Sequence, residues 1–191
     1  MKLQTILLVA VLAFLVGASL PLTMPEVYSS IKLPEFRTGA SSNVSSENTQ
    51  AFFCPQDSCA QKLVGFYSTA SKSIHVMVYS FTKQEIADSL IAAKARGVEV
   101  KVLMDNTQAG LKDAKDEYLL QNGIEVKIAD MPGRHIFHDK VSVIDSNAFS
   151  TGSFNYTGNA DSGNAENLVI VKDEKLAQAF EEEFLKYWNS N

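Results

Sequence analysis

His138, Lys140 and Asn155 bring an imidazole, an ammonium and a carboxamide into one short stretch of chain. They belong to a longer pattern, H-x-K-x4-D-x6-G-S-x-N, which runs from His138 through Asp145, Gly152 and Ser153 to Asn155. His138 and Lys140 are two residues apart, so on a strand both side chains leave the same face of the sheet. That face offers one nucleophile or base beside one fixed positive charge, a pairing suited to a phosphate. A bare H-x-K arises by chance on many amphipathic strands, and the further positions at fixed spacing give the pattern its weight.

The pattern is complete from His138 to Asn155 and resembles the signature of the phospholipase D superfamily, in particular its small single-motif nucleases. Phe52, Phe53, the stretch from Ile74 to Thr82, and Glu166 within Asn164–Ile170 also look like that family. The resemblance spans roughly residues 50 to 190 and says nothing about residues 1 to 49. It implies that His138 attacks phosphorus and forms a covalent phosphohistidine, dividing one hard displacement into two easier ones. It also implies that Glu166 accepts from the other ring nitrogen of His138 and fixes its tautomer. Lys140 and Asn155 then donate to the non-bridging oxygens, Ser153 adds a hydroxyl or backbone donor, and Gly152 lets the backbone come close. Asp145 is expected at the strand end, bonding loop amides rather than acting as a base. Arg134, with His135, lies in a loop leading to the motif, where it either rims the groove and holds a flanking phosphate or is plain solvated loop. No metal or cofactor is expected. One motif supplies one His138, so the resemblance implies a homodimer whose shared site faces two copies of His138 toward one phosphate.

The elements that must position these residues follow from periodicity. Asp57 is expected to cap a helix through about Ala70, and Ser73 to Phe81 reads as a strand rich in β-branched residues. A helix over Lys83–Arg96, a strand over Val98–Asp105, a helix over Leu111–Asn122 and a strand over Glu125–Ala129 follow. The motif supplies strands over Ile136–Ile144 and Ala148–Thr151, and Asn167–Val171 adds another. A last helix from Asp173 to Trp188 is expected to bury Leu176, Phe180, Phe184 and Tyr187 along one stripe. The β-α alternation argues for an α/β domain with a sheet covered by helices. The resemblance implies a central mixed β-sheet with helices on both faces and one catalytic domain. His75 falls on a buried strand, where a satisfied core or groove histidine is the favoured reading.

Composition bounds the rest. The chain has 191 residues, 46% of them hydrophobic, enough for one domain plus an extension. Its net charge of −5 argues against coating nucleic acid through bulk charge but leaves room for a local basic groove. Residues 3 to 25 carry no charged side chain. Residues 1–22 therefore read as a signal peptide or N-terminal membrane anchor, with membrane attachment through 3–22, placing the catalytic domain outside the cytoplasm. Residues 23–49 are polar and proline-punctuated and read as a flexible linker, leaving 50–191 as the catalytic domain. Cys54 and Cys59 are the only cysteines; an exported chain makes a local disulfide the leading reading, with zinc or a reduced pair as rivals. The expected activity is a metal-independent endonuclease on DNA or RNA, with single strands preferred. The alternatives are a phospholipase acting on membrane lipids, or a binding module that has kept the fold without activity.

Overall fold

Strands covered on both faces read as nearly continuous apolar runs, and such runs build the middle of this sheet. The computed structural model describes residues 44–191. The expected leader or anchor and most of the expected linker lie outside the described residues. The strands are β1 (Val44–Ser46), β2 (Thr49–Cys54), β3 (Ser73–Val78), β4 (Glu99–Asp105), β5 (Glu125–Ala129), β6 (Lys140–Ile144), β7 (Ala148–Gly152) and β8 (Glu166–Val171). They form one eight-stranded sheet in the order β1-β2-β8-β7-β6-β3-β4-β5. The β3–β4 and β4–β5 pairs are parallel and the others antiparallel, so the sheet is mixed.

The helices are α1 (Cys59–Ser68), α2 (Gln84–Ala95), α3 (Asp116–Gln121), α4 (Gly158–Ser162) and α5 (Glu174–Ser190). One face of the sheet packs Ile74, Val76, Val102 and Leu168 against Leu63 and Tyr67 of α1, Ile86 and Leu90 of α2, and Leu119 of α3. The opposite face packs Met77, Leu103, Val141, Val143 and Phe149 against Ala177, Phe184 and Trp188 of α5. Alternate residues of β3 and β6 therefore serve two separate cores, as the two-residue period of a strand requires. The expected helices on both faces are present.

Four local expectations give way, each for a physical reason. Residues ahead of position 50 enter the sheet, because Val44–Ser46 pairs with Thr49–Ala51 in a tight hairpin whose second strand zips onto β8. Asp57 does not cap α1 from the N-cap position. Ser58 stands there with φ of 54°, the Asp57 carboxylate accepts from Phe53 N at 2.8 Å, and Asp161 accepts from Ala60 N at 2.9 Å. The helix expected from Leu111 forms only from Asp116, since Lys115 N is drawn away to Phe81 O (3.0 Å) and Gly110 N to the Asp116 carboxylate (3.0 Å). On α5 the buried stripe is Ala177, Phe184 and Trp188, with Phe180 and Tyr187 at its edge, while Leu176 is 50% exposed. Asp173 is the N-cap of this helix, accepting from Leu176 N at 3.0 Å, which sets the rotation that turns Leu176 outward.

Cys54 and Cys59 form a disulfide, with Cα atoms 5.7 Å apart, joining the end of β2 to the first turn of α1. The zinc and reduced-pair alternatives are set aside by this bond. Among the described residues no helix is long and apolar enough to cross a membrane.

Candidate active site

The motif collects where β6 begins and β7 ends. The strand expected over Ile136–Ile144 starts only at Lys140, because Phe137 N is captured by the buried carboxylate of Asp105 at 2.6 Å instead of a neighbouring strand. His138 therefore stands in the lead-in to β6, not on it, and its side chain is exposed. Lys140 is buried, and its Nζ donates to the carbonyl of His138 at 2.7 Å. The two groups are joined by this bond rather than by sharing a strand face.

Tyr79, just past β3, lies against both. Its ring centroid is 4.8 Å from that of His138 at an interplanar angle of 57°, and the Lys140 Nζ sits 5.2 Å from the same centroid. Tyr79 N donates to Asp139 O at 2.8 Å, extending the β3–β6 pairing into the site. Its hydroxyl accepts from Gln108 Nε2 at 3.1 Å. Asp105, with no exposed surface, also accepts from Thr107 N at 2.8 Å and from the Thr107 hydroxyl at 2.5 Å. Tyr79, Asp105 and Gln108 were absent from the residues chosen from sequence. The signal for Asp105 was a carboxylate closing an otherwise apolar buried run; Gln108, in an irregular loop, had none.

Asn155 reaches the same end of the sheet after β7. Its side chain is half-buried, its Oδ1 is buried, and the amide makes no hydrogen bond among the described residues. A buried acceptor without a partner is costly, which marks the Asn155 carboxamide as open to a ligand, with Nδ2 as its donor. Glu166, the first residue of β8, accepts from the Ser153 hydroxyl and from Asn164 Nδ2 at 3.0 Å. Ser153 Oγ in turn accepts from Asn167 N at 3.1 Å. Within one chain Glu166 thus engages Ser153, and no hydrogen bond joins it to His138. Gly152 is dictated by packing: a Cβ there would lie 2.3 Å from Asn167 O, at a φ of +150°. The close approach expected at Gly152 is that of β8.

Two candidates stand apart. Asp145 closes the far end of β6, and its carboxylate accepts from Ser71 N (2.9 Å), Ser71 Oγ (2.8 Å), Lys72 N (2.7 Å) and Ser73 N (2.9 Å). It belongs to the motif, and its carboxylate is taken up by this turn, as expected of a residue bonding loop amides at the strand end. Arg134 is exposed on the loop before Phe137 and makes no hydrogen bond or ion pair among the described residues, so the structure does not tie it to the cluster. A groove of about 450 Å³ between β2 and α1, lined in part by Phe52, Lys62, Phe66 and Lys172, contains none of the motif residues.

Burial lowers the Lys140 ammonium from its ordinary range, opposed by the nearby charges of Asp139, Glu166 and Asp105. Burial raises the Asp139 carboxyl, reinforced by Glu183 and opposed by Lys140 and His138. An exposed imidazole, a buried cation and the Asn155 carboxamide thus lie at the same end of the sheet, groups of the kind that suit a tetrahedral oxyanion.

Residues 63–188 match the family described as cardiolipin synthase, PLD-like domain. A phospholipase D of Rickettsia bellii is 37% identical over 144 residues, covering 75% of this chain and 71% of the relative. A mitochondrial cardiolipin hydrolase of Xenopus tropicalis is 29% identical over 138 residues, 71% of this chain and 65% of that one. The crystal structure of Nuc, a phospholipase D family member from Salmonella typhimurium, superposes with a TM-score of 0.69 at 35% identity, covering 74% of this chain and 93% of Nuc. This chain belongs to the phospholipase D superfamily and is a phosphodiesterase of that kind.

Proposed function

We propose that the protein is a metal-independent endonuclease that cleaves DNA or RNA, single strands preferentially, through a phosphohistidine at His138. The observation that carries this reading is the 35% identity to Nuc, a phospholipase D family member, over 93% of that chain, so the catalytic unit is matched almost from end to end. The site geometry supports it: an exposed imidazole at the end of the sheet's central strands is accessible to a polymer strand. One His138 ring nitrogen attacks phosphorus, and the bond from phosphorus to the leaving oxygen breaks. A general acid protonates that oxygen. Water then displaces the histidine, giving up its proton to the same group. Lys140 and the Asn155 amide donate to the non-bridging oxygens through both steps.

A single chain supplies one His138, and its Glu166 is engaged by Ser153 and Asn164. We therefore infer a homodimer in which His138 of a second copy is the acid and then the base. The Cys54–Cys59 disulfide supports an oxidising compartment. With the charge-free span over residues 3–22, it supports a catalytic domain held or released outside the cytoplasm. Phospholipid hydrolysis is the second reading, favoured by that same span and by relatives named phospholipase D and mitochondrial cardiolipin hydrolase. The test offers the full chain, in EDTA, single-stranded DNA, RNA, and vesicles of phosphatidylcholine and cardiolipin. Nucleic-acid cleavage that persists in EDTA is expected. Headgroup release without strand cleavage puts the lipid reading first, and nuclease activity abolished by EDTA overturns the mechanism.

A further inference from the structure

We propose that Tyr79 is a positioning residue, its ring packed against the His138 imidazole and lying under the Lys140 ammonium. The ring meets both groups, at 4.8 Å between centroids for His138 and at 5.2 Å from Nζ for Lys140. A π face favours a cation above it, and more strongly where water is excluded; Lys140 is buried. The hydroxyl is gripped by Gln108 Nε2 at 3.1 Å, and Gln108 N donates to Asp105 O at 3.1 Å. The Asp105 carboxylate holds Phe137 N on one side and Thr107 on the other. One buried carboxylate thus ties the loop that grips the Tyr79 hydroxyl to the loop that carries His138. Removing the ring frees the imidazole to rotate and withdraws support from the Lys140 cation, while the charges of Asp139, Glu166 and Asp105 and the His138 carbonyl that face Lys140 stay in place.

Lys140 must be protonated to donate, so losing a group that favours its cation moves the alkaline fall in activity to lower pH. The inference rests on the His138 mechanism but not on the choice of nucleic acid, and bis(4-nitrophenyl) phosphate serves as substrate. Hydrolysis by the wild type that is lost in His138→Asn establishes the underlying chemistry separately. Tyr79→Leu is expected to lower kcat about 10- to 100-fold with little change in KM, and to shift the alkaline limb down by roughly half to one pH unit. Tyr79→Phe keeps the ring and is expected to stay within about threefold of wild type, with its limb in place. If Tyr79→Leu does not fold, Tyr79→Met fills the volume without a π face and carries the same expectation. An unmoved alkaline limb in the ring-less variant, or a Tyr79→Phe as impaired as Tyr79→Leu, overturns the assignment.

Discussion

Asp145 sits inside the catalytic signature yet its carboxylate binds the turn that leads into β3, so replacing it should separate stability from chemistry. Its Oδ1 accepts from Lys72 N and Ser73 N, and its Oδ2 from Ser71 N and Ser71 Oγ. Asp145→Asn keeps an acceptor for Lys72 and Ser73 but turns an NH2 toward Ser71, and it removes the charge. Asn also tolerates the φ of +53° found at this position. A hydrogen bond to a charged group is worth about 1.5–3 kcal/mol when buried. The Ser71 and Lys72 amides regain water on breaking, so we expect a loss of about 1.5 kcal/mol for Asn, and about 3 kcal/mol for Ala, which loses every bond and strains at positive φ. For a domain of this size that is a drop in Tm of roughly 3–6 °C for Asn.

Burial pushes the Asp145 carboxyl up, but the amides of Ser73, Lys72 and Ser71 outweigh it and hold the group below its ordinary value. Its stabilisation is therefore present above the unfolded-state value of about 3.9 and is lost as pH falls through the lower folded value. Thermal melts of wild type and Asp145→Asn at pH 7, 4 and 3 should converge toward acid. Asp145 lies five residues along the strand from Lys140, about 16 Å away, so kcat of the folded variant should stay within about threefold of wild type. A Tm within 1 °C of wild type at pH 7, a difference that does not shrink toward pH 3, or a tenfold loss of kcat in folded protein would each refute this account.

Three further outcomes are expected. Random mixing of equal amounts of wild type and His138→Asn should lower activity per wild-type subunit to about half, because only wild-type pairs keep two histidines; undiminished activity per intact subunit would remove the shared site. Gly152→Ala forces a Cβ to within 2.3 Å of Asn167 O and should cost about 1–3 kcal/mol or more, read as a lowered urea midpoint; an unchanged midpoint would mean that β8 yields freely. Burial holds the Lys140 ammonium below its ordinary range, so wild-type activity should fall off on the alkaline side below about pH 10.4. Lys140→Arg does not titrate there, and its residual activity should lack that limb; an identical limb would assign the titration to another group.

The chemistry was legible in the sequence because a reactive group is carried by residue type and spacing. His138, Lys140 and Asn155 are named by their order alone, and the apolar runs over Ile74–Val78 and Val100–Met104 mark strands wherever they are read. Helix α2 and strand β5 were equally plain, since their periodicity and end signals are local. The short hairpin of β1 and β2 was not: a polar segment such as Val44–Ser46 becomes a strand only when β8, more than a hundred residues away, gives β2 a register to hold. The late start of α3 depended on Phe81 O taking the Lys115 amide. The late start of β6 depended on Asp105 taking the Phe137 amide. The partner of Glu166 could not be read from its position either, since Ser153 reaches it only because Gly152 lets β7 and β8 close together. The sequence by itself determined which groups are available to act on phosphorus; the tertiary structure alone decided which of them meet, because hydrogen-bond partners far apart along the chain are chosen by packing and not by local period.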